Sequence, residues 1–276
     1  MINPDNAAGI ACLFDQEAYL IEATGGLFPE RTAAEMSQIV DVLNIGSGAG
    51  AWVLEVARRH PEMEVTGIDT SRSAIAYARA HARVRRLRNA HFAVMDTLKP
   101  LDISTETFDL VHMCTIPGGV PPTHCVQLLP ECMRILRPGG IIRIIIADGG
   151  SSNASAFETL SGLCALAMQR AGFSFSATGR TLGPLQMMAH LLRRAGYRHV
   201  CYKPSVLDFS SSAAAHNEMY QNYTILFKLA EPFLLKMDVI TAREFTVLYE
   251  NALLEMLAED FCAAWTLLTI AGEKPY

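Results

Sequence analysis

Apolar residues in the first half of the chain come in short dense runs separated by amphipathic stretches. Val40 to Ile45 predicts a buried strand, Ala51 to Arg59 a helix stopped by Pro61, and Glu64 to Ile68 a second strand. Ser71 to Leu87 predicts an Ala/Arg-rich helix, His91 to Met95 and Phe108 to Met113 two more strands, and Cys125 to Leu136 another helix. Arg137-Pro138-Gly139-Gly140 then turns the chain into a very apolar strand, Ile141 to Ala147, and the one linker-like stretch is Ile116 to Pro122. Near-continuous Val/Ile/Leu strands with helices between them call for a parallel sheet covered on both faces. Right-handed crossovers make such a sheet doubly wound.

The second half has longer helical patterns. Helices are expected over Ala154 to Ala171, Leu185 to Ala195, Ala213 to Lys228 and Ala242 to Leu257, with strands over Arg198 to Leu207 and Phe261 to Ile270. The helices flanking the first of these strands read as insertions that roof an apolar pocket, with Met188, Tyr220 and Tyr223 as candidate substrate contacts. Ahead of the first strand, Asn6 to Ala23 repeats apolar residues at helical spacing and ends at Gly25-Gly26, so one helix face wants a partner. It is expected to be a lid or a homo-oligomer contact, with Tyr19 reaching substrate. The expected divisions are 1–26 for this element, 27–150 for a core and 151–276 for the rest of the sheet with its lid.

Composition narrows the function classes. Half of the 276 residues are apolar and 18% are charged, which excludes a disordered chain. A net charge of -5 argues against nucleic acid and acidic membrane surfaces as partners. Mean hydropathy is +0.20, yet the most apolar stretch is short and contains Arg143, so no membrane span is expected. No Lys or Arg precedes Arg31, which does not suit a signal peptide. Seven scattered cysteines read as reduced thiols of a cytoplasmic protein, and neither they nor the eight histidines have metal-site spacing. The basic run His81 to Arg88 reads as a solvated helix end.

Chemistry concentrates where strands end. Val42-Leu43-Asn44-Ile45-Gly46-Ser47-Gly48-Ala49-Gly50 is a strand running through a glycine turn into a helix, a place where backbone N–H groups meet a polar ligand. Gly46, Gly48 and Ala51 alone also satisfy the G-x-G-x-x-G/A pattern of a dinucleotide site. Asp69, followed by Thr70, closes the second strand, where a carboxylate can take both hydroxyls of a ribose. Asp96 and Thr97 close the third strand, His112 sits in the fourth, and Arg137 to Gly140 introduce the fifth.

This ordered set resembles the class I S-adenosylmethionine-dependent methyltransferases over about residues 38 to 150, and Phe261 to Ile270 resembles the antiparallel strand the family adds. Chain-wide it looks like bacterial small-molecule and natural-product methyltransferases. The resemblance implies an α/β, doubly wound, mostly parallel seven-stranded sheet of the Rossmann-like methyltransferase fold, with a helical lid. It implies S-adenosyl-L-methionine as cofactor, with Asn44, Gly46, Ser47, Gly48 and Gly50 at the methionine end and ribose. It further implies Asp69 and Thr70 on the ribose, Asp96 and Thr97 at the adenine, and His112 facing the transferable methyl. The family usually carries an acid where Asn44 stands, and Asp41, three residues back along a strand, points to the opposite face.

The expected reaction is methyl transfer to carbon or oxygen of a small, largely apolar secondary metabolite of terpenoid, indole or polyketide type. Proximity and in-line orientation would supply most of the rate. His112, and second His216, are the candidate bases where the acceptor must lose a proton. No Asn- or Asp-Pro-Pro-aromatic motif follows the fourth strand, which removes the usual signature of adenine methylation in nucleic acid. Two rivals remain open: an NAD-dependent oxidoreductase, and a cofactor-retaining binding or cyclising protein that transfers no methyl.

Overall fold

A computed structural model describes residues 7–115 and 121–276, so most of the linker-like stretch Ile116 to Pro122 lies outside the described residues. The strands are β1 (Asp41–Ile45), β2 (Glu64–Asp69), β3 (Ala90–Val94), β4 (Phe108–Thr115), β5 (Leu136–Ser152), β6 (Arg198–Asp208) and β7 (Ala263–Glu273). They form one seven-stranded sheet in the order β3-β2-β1-β4-β5-β7-β6. The first five pair in parallel, and β7 runs antiparallel to both neighbours, β5 and β6. The helices are α1 (Ala7–Ala23), α2 (Ala33–Met36), α3 (Ala51–Arg59), α4 (Arg72–Val84), α5 (Pro122–Ile135), α6 (Ser155–Arg170), α7 (Pro184–Arg194), α8 (His216–Lys236) and α9 (Ala242–Met256).

Strand alternation decides which helices cover which face. Leu43, Val111, Ile142 and Ile144 pack with Leu128 and Leu129 of α5 and Leu192 of α7. Val42 and Leu110 pack on the other face with Trp52 and Val53 of α3 and Ile75 of α4. A third cluster joins α6, α8 and α9 to the far part of β5 and β7 through Phe157, Phe209, Tyr223, Phe245 and Trp265. There Tyr223 Oη accepts the Trp265 Nε1–H at 2.6 Å.

The helix expected before the first strand is docked on its own chain. α1 lies against α3, α8 and β6. Leu20 enters the aromatic cluster, while its neighbour Ile21 enters the cluster around α3. At the amino end of the strands, Arg137 bridges Asp41 at 2.8 Å and Asp109 at 2.7 Å. Among the described residues no helix is long and apolar enough to cross a membrane.

Candidate functional site

The carboxyl ends of β1, β2 and β4 converge on the turn from β1 into α3. Gly46, Gly48 and Gly50 all have positive φ, between 49° and 84°. Two different needs are met. A Cβ on Gly50 would lie 2.7 Å from the Phe92 ring, so that glycine serves packing. A Cβ on Gly46 or Gly48 would meet nothing within 4 Å, leaving open space in front of the backbone. Gly46 and Ser47 donate their N–H groups to the Ile68 carbonyl, which ties the turn to β2.

Asp69 is the hub. Its Oδ2 accepts the Gly48 N–H at 2.9 Å and its Oδ1 accepts the Ser71 N–H at 2.8 Å. Each oxygen keeps a lone pair for a further donor, and the two amides fix the plane of the carboxylate. Its backbone carbonyl accepts the Met95 N–H, which brings the end of β3 alongside. Asp96 follows there, accepting the Leu98 N–H at 3.0 Å with Lys99 at 3.6 Å. Thr97 Oγ1 lies 3.3 Å from His124 Nε2, while Thr70 is exposed.

Below the turn, one row of side chains crosses the sheet. Asn44 stands opposite His112 and Gly67, and His112 opposite Arg143. The row is buried and polar. Arg143, 1% exposed, is held by Glu30 at 2.6 Å, which keeps a buried guanidinium paired. His112 has no exposure, stacks on Trp52 at 4.1 Å between ring centres, and sets Nδ1 3.2 Å from the Arg143 carbonyl. Burial first, and the Arg143 charge second, hold its pKa well below the usual imidazole range, so it is neutral at physiological pH. Buried atoms without a hydrogen-bond partner here include both amide atoms of Asn44, Ser47 Oγ and His112 Nε2.

One residue of this corner was not anticipated from the sequence. Glu17 of α1 accepts the Trp52 N–H at 3.2 Å, at the N-terminus of α3. The N-cap there is Gly50, which offers no side chain. Dehydration pushes the Glu17 carboxyl up to about 7, against the lowering effect of backbone N–H groups of Trp52 and Ala51.

The residues expected to line a substrate pocket do not all meet. Tyr223 lies in the aromatic cluster, with Tyr19 and Tyr220 packed against it. Met188 is corrected: it faces the other core, with α5 and the opposite side of the sheet, because α7 lies on that side. His216 begins α8 and places Nδ1 3.1 Å from the Phe209 carbonyl, beside the Phe261 ring.

Strand order 3-2-1-4-5-7-6 with one antiparallel strand, a glycine turn, an acid ending β2 and another just past β3 is the arrangement that the resemblance to class I S-adenosylmethionine-dependent methyltransferases implies. Residues 42–140 match the family model described as a methyltransferase domain. It is 28% identical to Methyltransferase str2 of Strobilurus tenacellus over 132 residues, 48% of this chain and 42% of that one. It is 31% identical to a ubiquinone biosynthesis O-methyltransferase of Glaesserella parasuis over 46% of this chain and 49% of that one. The chain thus spans less than half the length of these curated relatives. A solved S-adenosylmethionine-dependent methyltransferase of Methanosarcina mazei shares the fold with a TM-score of 0.51 and 19% identity, over 85% of this chain and 92% of that one.

Proposed function

We propose that the protein binds S-adenosyl-L-methionine and transfers its methyl group to carbon or oxygen of a small, largely apolar secondary metabolite, of terpenoid, indole or polyketide type. The observation that carries this reading is Asp69, fixed by two backbone amides beside a turn with open space at Gly46 and Gly48. The fit extends to the methionine end, where Asn44, Ser47 and His112 keep buried polar atoms without partners. Asp69 would hold the ribose, Asp96 the adenine amino group, and the row under the turn the amino-acid end.

The cofactor supplies an already activated methyl group, so positioning carries most of the barrier reduction asked of the protein. We assign His112 to the wall of the cofactor site: sealed under Trp52, its neutral ring takes up and releases no proton near pH 7. Tyr19 and Tyr220, packed against the aromatic cluster that holds Tyr223, supply with it the apolar side where an acceptor would lie. One relative is named for O-methylation in ubiquinone biosynthesis, which supports oxygen of an apolar ring compound as acceptor. The antiparallel β7 between β5 and β6 counts against the NAD-dependent rival, whose sheet is built from two like βαβαβ halves.

The test is incubation with methyl-labelled cofactor and a panel of apolar phenols, indoles and polyenes, reading S-adenosylhomocysteine release. Transfer of label to one class supports the reading. Tighter binding of NAD than of S-adenosylmethionine would overturn it. Cofactor retention with no S-adenosylhomocysteine released by any acceptor favours the binding or cyclising alternative.

A further inference from the structure

The site has a missing charge and, beside it, an extra one. Asn44, one residue before the end of β1, carries a neutral amide, 1% exposed, whose oxygen and nitrogen both lack partners. Gln16 of α1 is equally buried and equally without partners. Next to Gln16 in sequence, Glu17 places its carboxylate on the Trp52 N–H at 3.2 Å, and the Trp52 ring covers His112 in the strand position beside Asn44. The Glu17 charge bears on Asp69 at the end of β2 and on Cys114 near the end of β4. The one cation in the polar row, Arg143, is committed to Glu30. Among the described residues Glu17 is therefore an acid with backbone donors and no cation, at the N-terminus of the helix whose Trp52 covers the strand position beside Asn44.

An unpaired carboxylate at the corner where the buried Asn44 amide also lacks a partner matches an ammonium group: one charge to neutralise and three N–H donors to satisfy. The dehydrated setting makes the unpaired charge costly and a paired one strong. We propose that Glu17, reaching in from α1, receives the ammonium of the amino-acid end of S-adenosylmethionine, in place of the acid missing at position 44. Docking of α1 and anchoring of that end of the cofactor are then a single event, because the anchoring charge arrives on the helix. This inference rests on the cofactor reading above. A merely structural Glu17, capping α3, would not distinguish ligands by their amino-acid end.

Two ligands separate the cases in calorimetry: S-adenosylhomocysteine, and 5′-methylthioadenosine, which keeps the nucleoside thioether but lacks the amino-acid end. Glu17→Gln should weaken S-adenosylhomocysteine by about tenfold or more, the size of a lost charge-assisted bond, and leave 5′-methylthioadenosine unchanged. Adding Asn44→Asp to Glu17→Gln should recover part of the loss for S-adenosylhomocysteine alone. Equal weakening of both ligands, or tighter S-adenosylhomocysteine binding by Glu17→Gln, would overturn the assignment while leaving the cofactor reading intact. Wild-type protein that binds neither ligand would overturn both.

Discussion

Glu17 leads to a measurement that needs no ligand. Its carboxyl is raised from 4.5 to about 7, chiefly because α1 and α3 bury it, with Asp69 adding to the rise. A raised carboxyl binds its proton more tightly in the folded state, so its contribution is fully present below pH 4.5 and is lost as pH climbs through about 7. The shift corresponds to about 3 kcal/mol in total, of which about 2.5 kcal/mol falls between about pH 5 and about pH 8. His112 works the other way: its lowered pKa favours the folded state above the ordinary imidazole value and penalises it as pH falls. Glu17→Gln keeps the shape and the hydrogen-bond acceptor and removes only the titration. His112 therefore cancels in the comparison of wild type with Glu17→Gln. Urea unfolding across that pH range should show the variant close to wild type at the acid end and more stable by about 2–3 kcal/mol at the alkaline end. Parallel stability profiles for the two proteins would refute a buried, unpaired carboxylate at this corner.

Asp69→Ala should weaken S-adenosylhomocysteine by an order of magnitude or more in calorimetry, since the Gly48 and Ser71 amides lose their acceptor along with the ribose. Unchanged affinity would remove Asp69 from the ribose role. Asp96→Ala should cost less and relax discrimination against an inosine analogue of the cofactor; undiminished rejection of that analogue would show that Asp96 does not read the adenine. Gly50→Ala combines a φ of 84° with a Cβ 2.7 Å from Phe92, and should destabilise the fold by about 1–3 kcal/mol in thermal unfolding. An unaltered melting temperature would mean that the turn relaxes freely.

The elements were largely legible because their periodicities are local. A buried parallel strand and an amphipathic helix each carry their own signal, and the acids at positions 69 and 96 could be placed because strand ends can be counted. β5 was read as ending at Ala147, whereas it runs on through Gly150 to Ser152, paired with β7. Gly150 in that extension is small for a packing reason: a Cβ there would meet Tyr223 Oη at 2.8 Å and the Trp265 ring at 3.0 Å. Met188 was misplaced for a different reason. Helical spacing tells which face of α7 is apolar, with Met187 exposed and Met188 buried, but not which side of the sheet the helix covers.

The charges follow the same division between local and distant information. Arg143 announced itself as the lone charge in an isoleucine strand, which demands a buried partner, yet nothing near it in sequence singles out Glu30, 113 residues away. Glu17 had no signal at all: among Asp15, Gln16 and Glu22 it looks like one more polar residue of an amphipathic helix. Its meaning comes from where α1 docks, at a helix start whose own cap, Gly50, has no side chain because Phe92 leaves no room for one. The two departures from expectation at this site are therefore coupled. An amide at position 44 removes a charge that the family resemblance implies, and a helix from outside the sheet carries one back to the same corner, where only the packing of α1 on α3 reveals it.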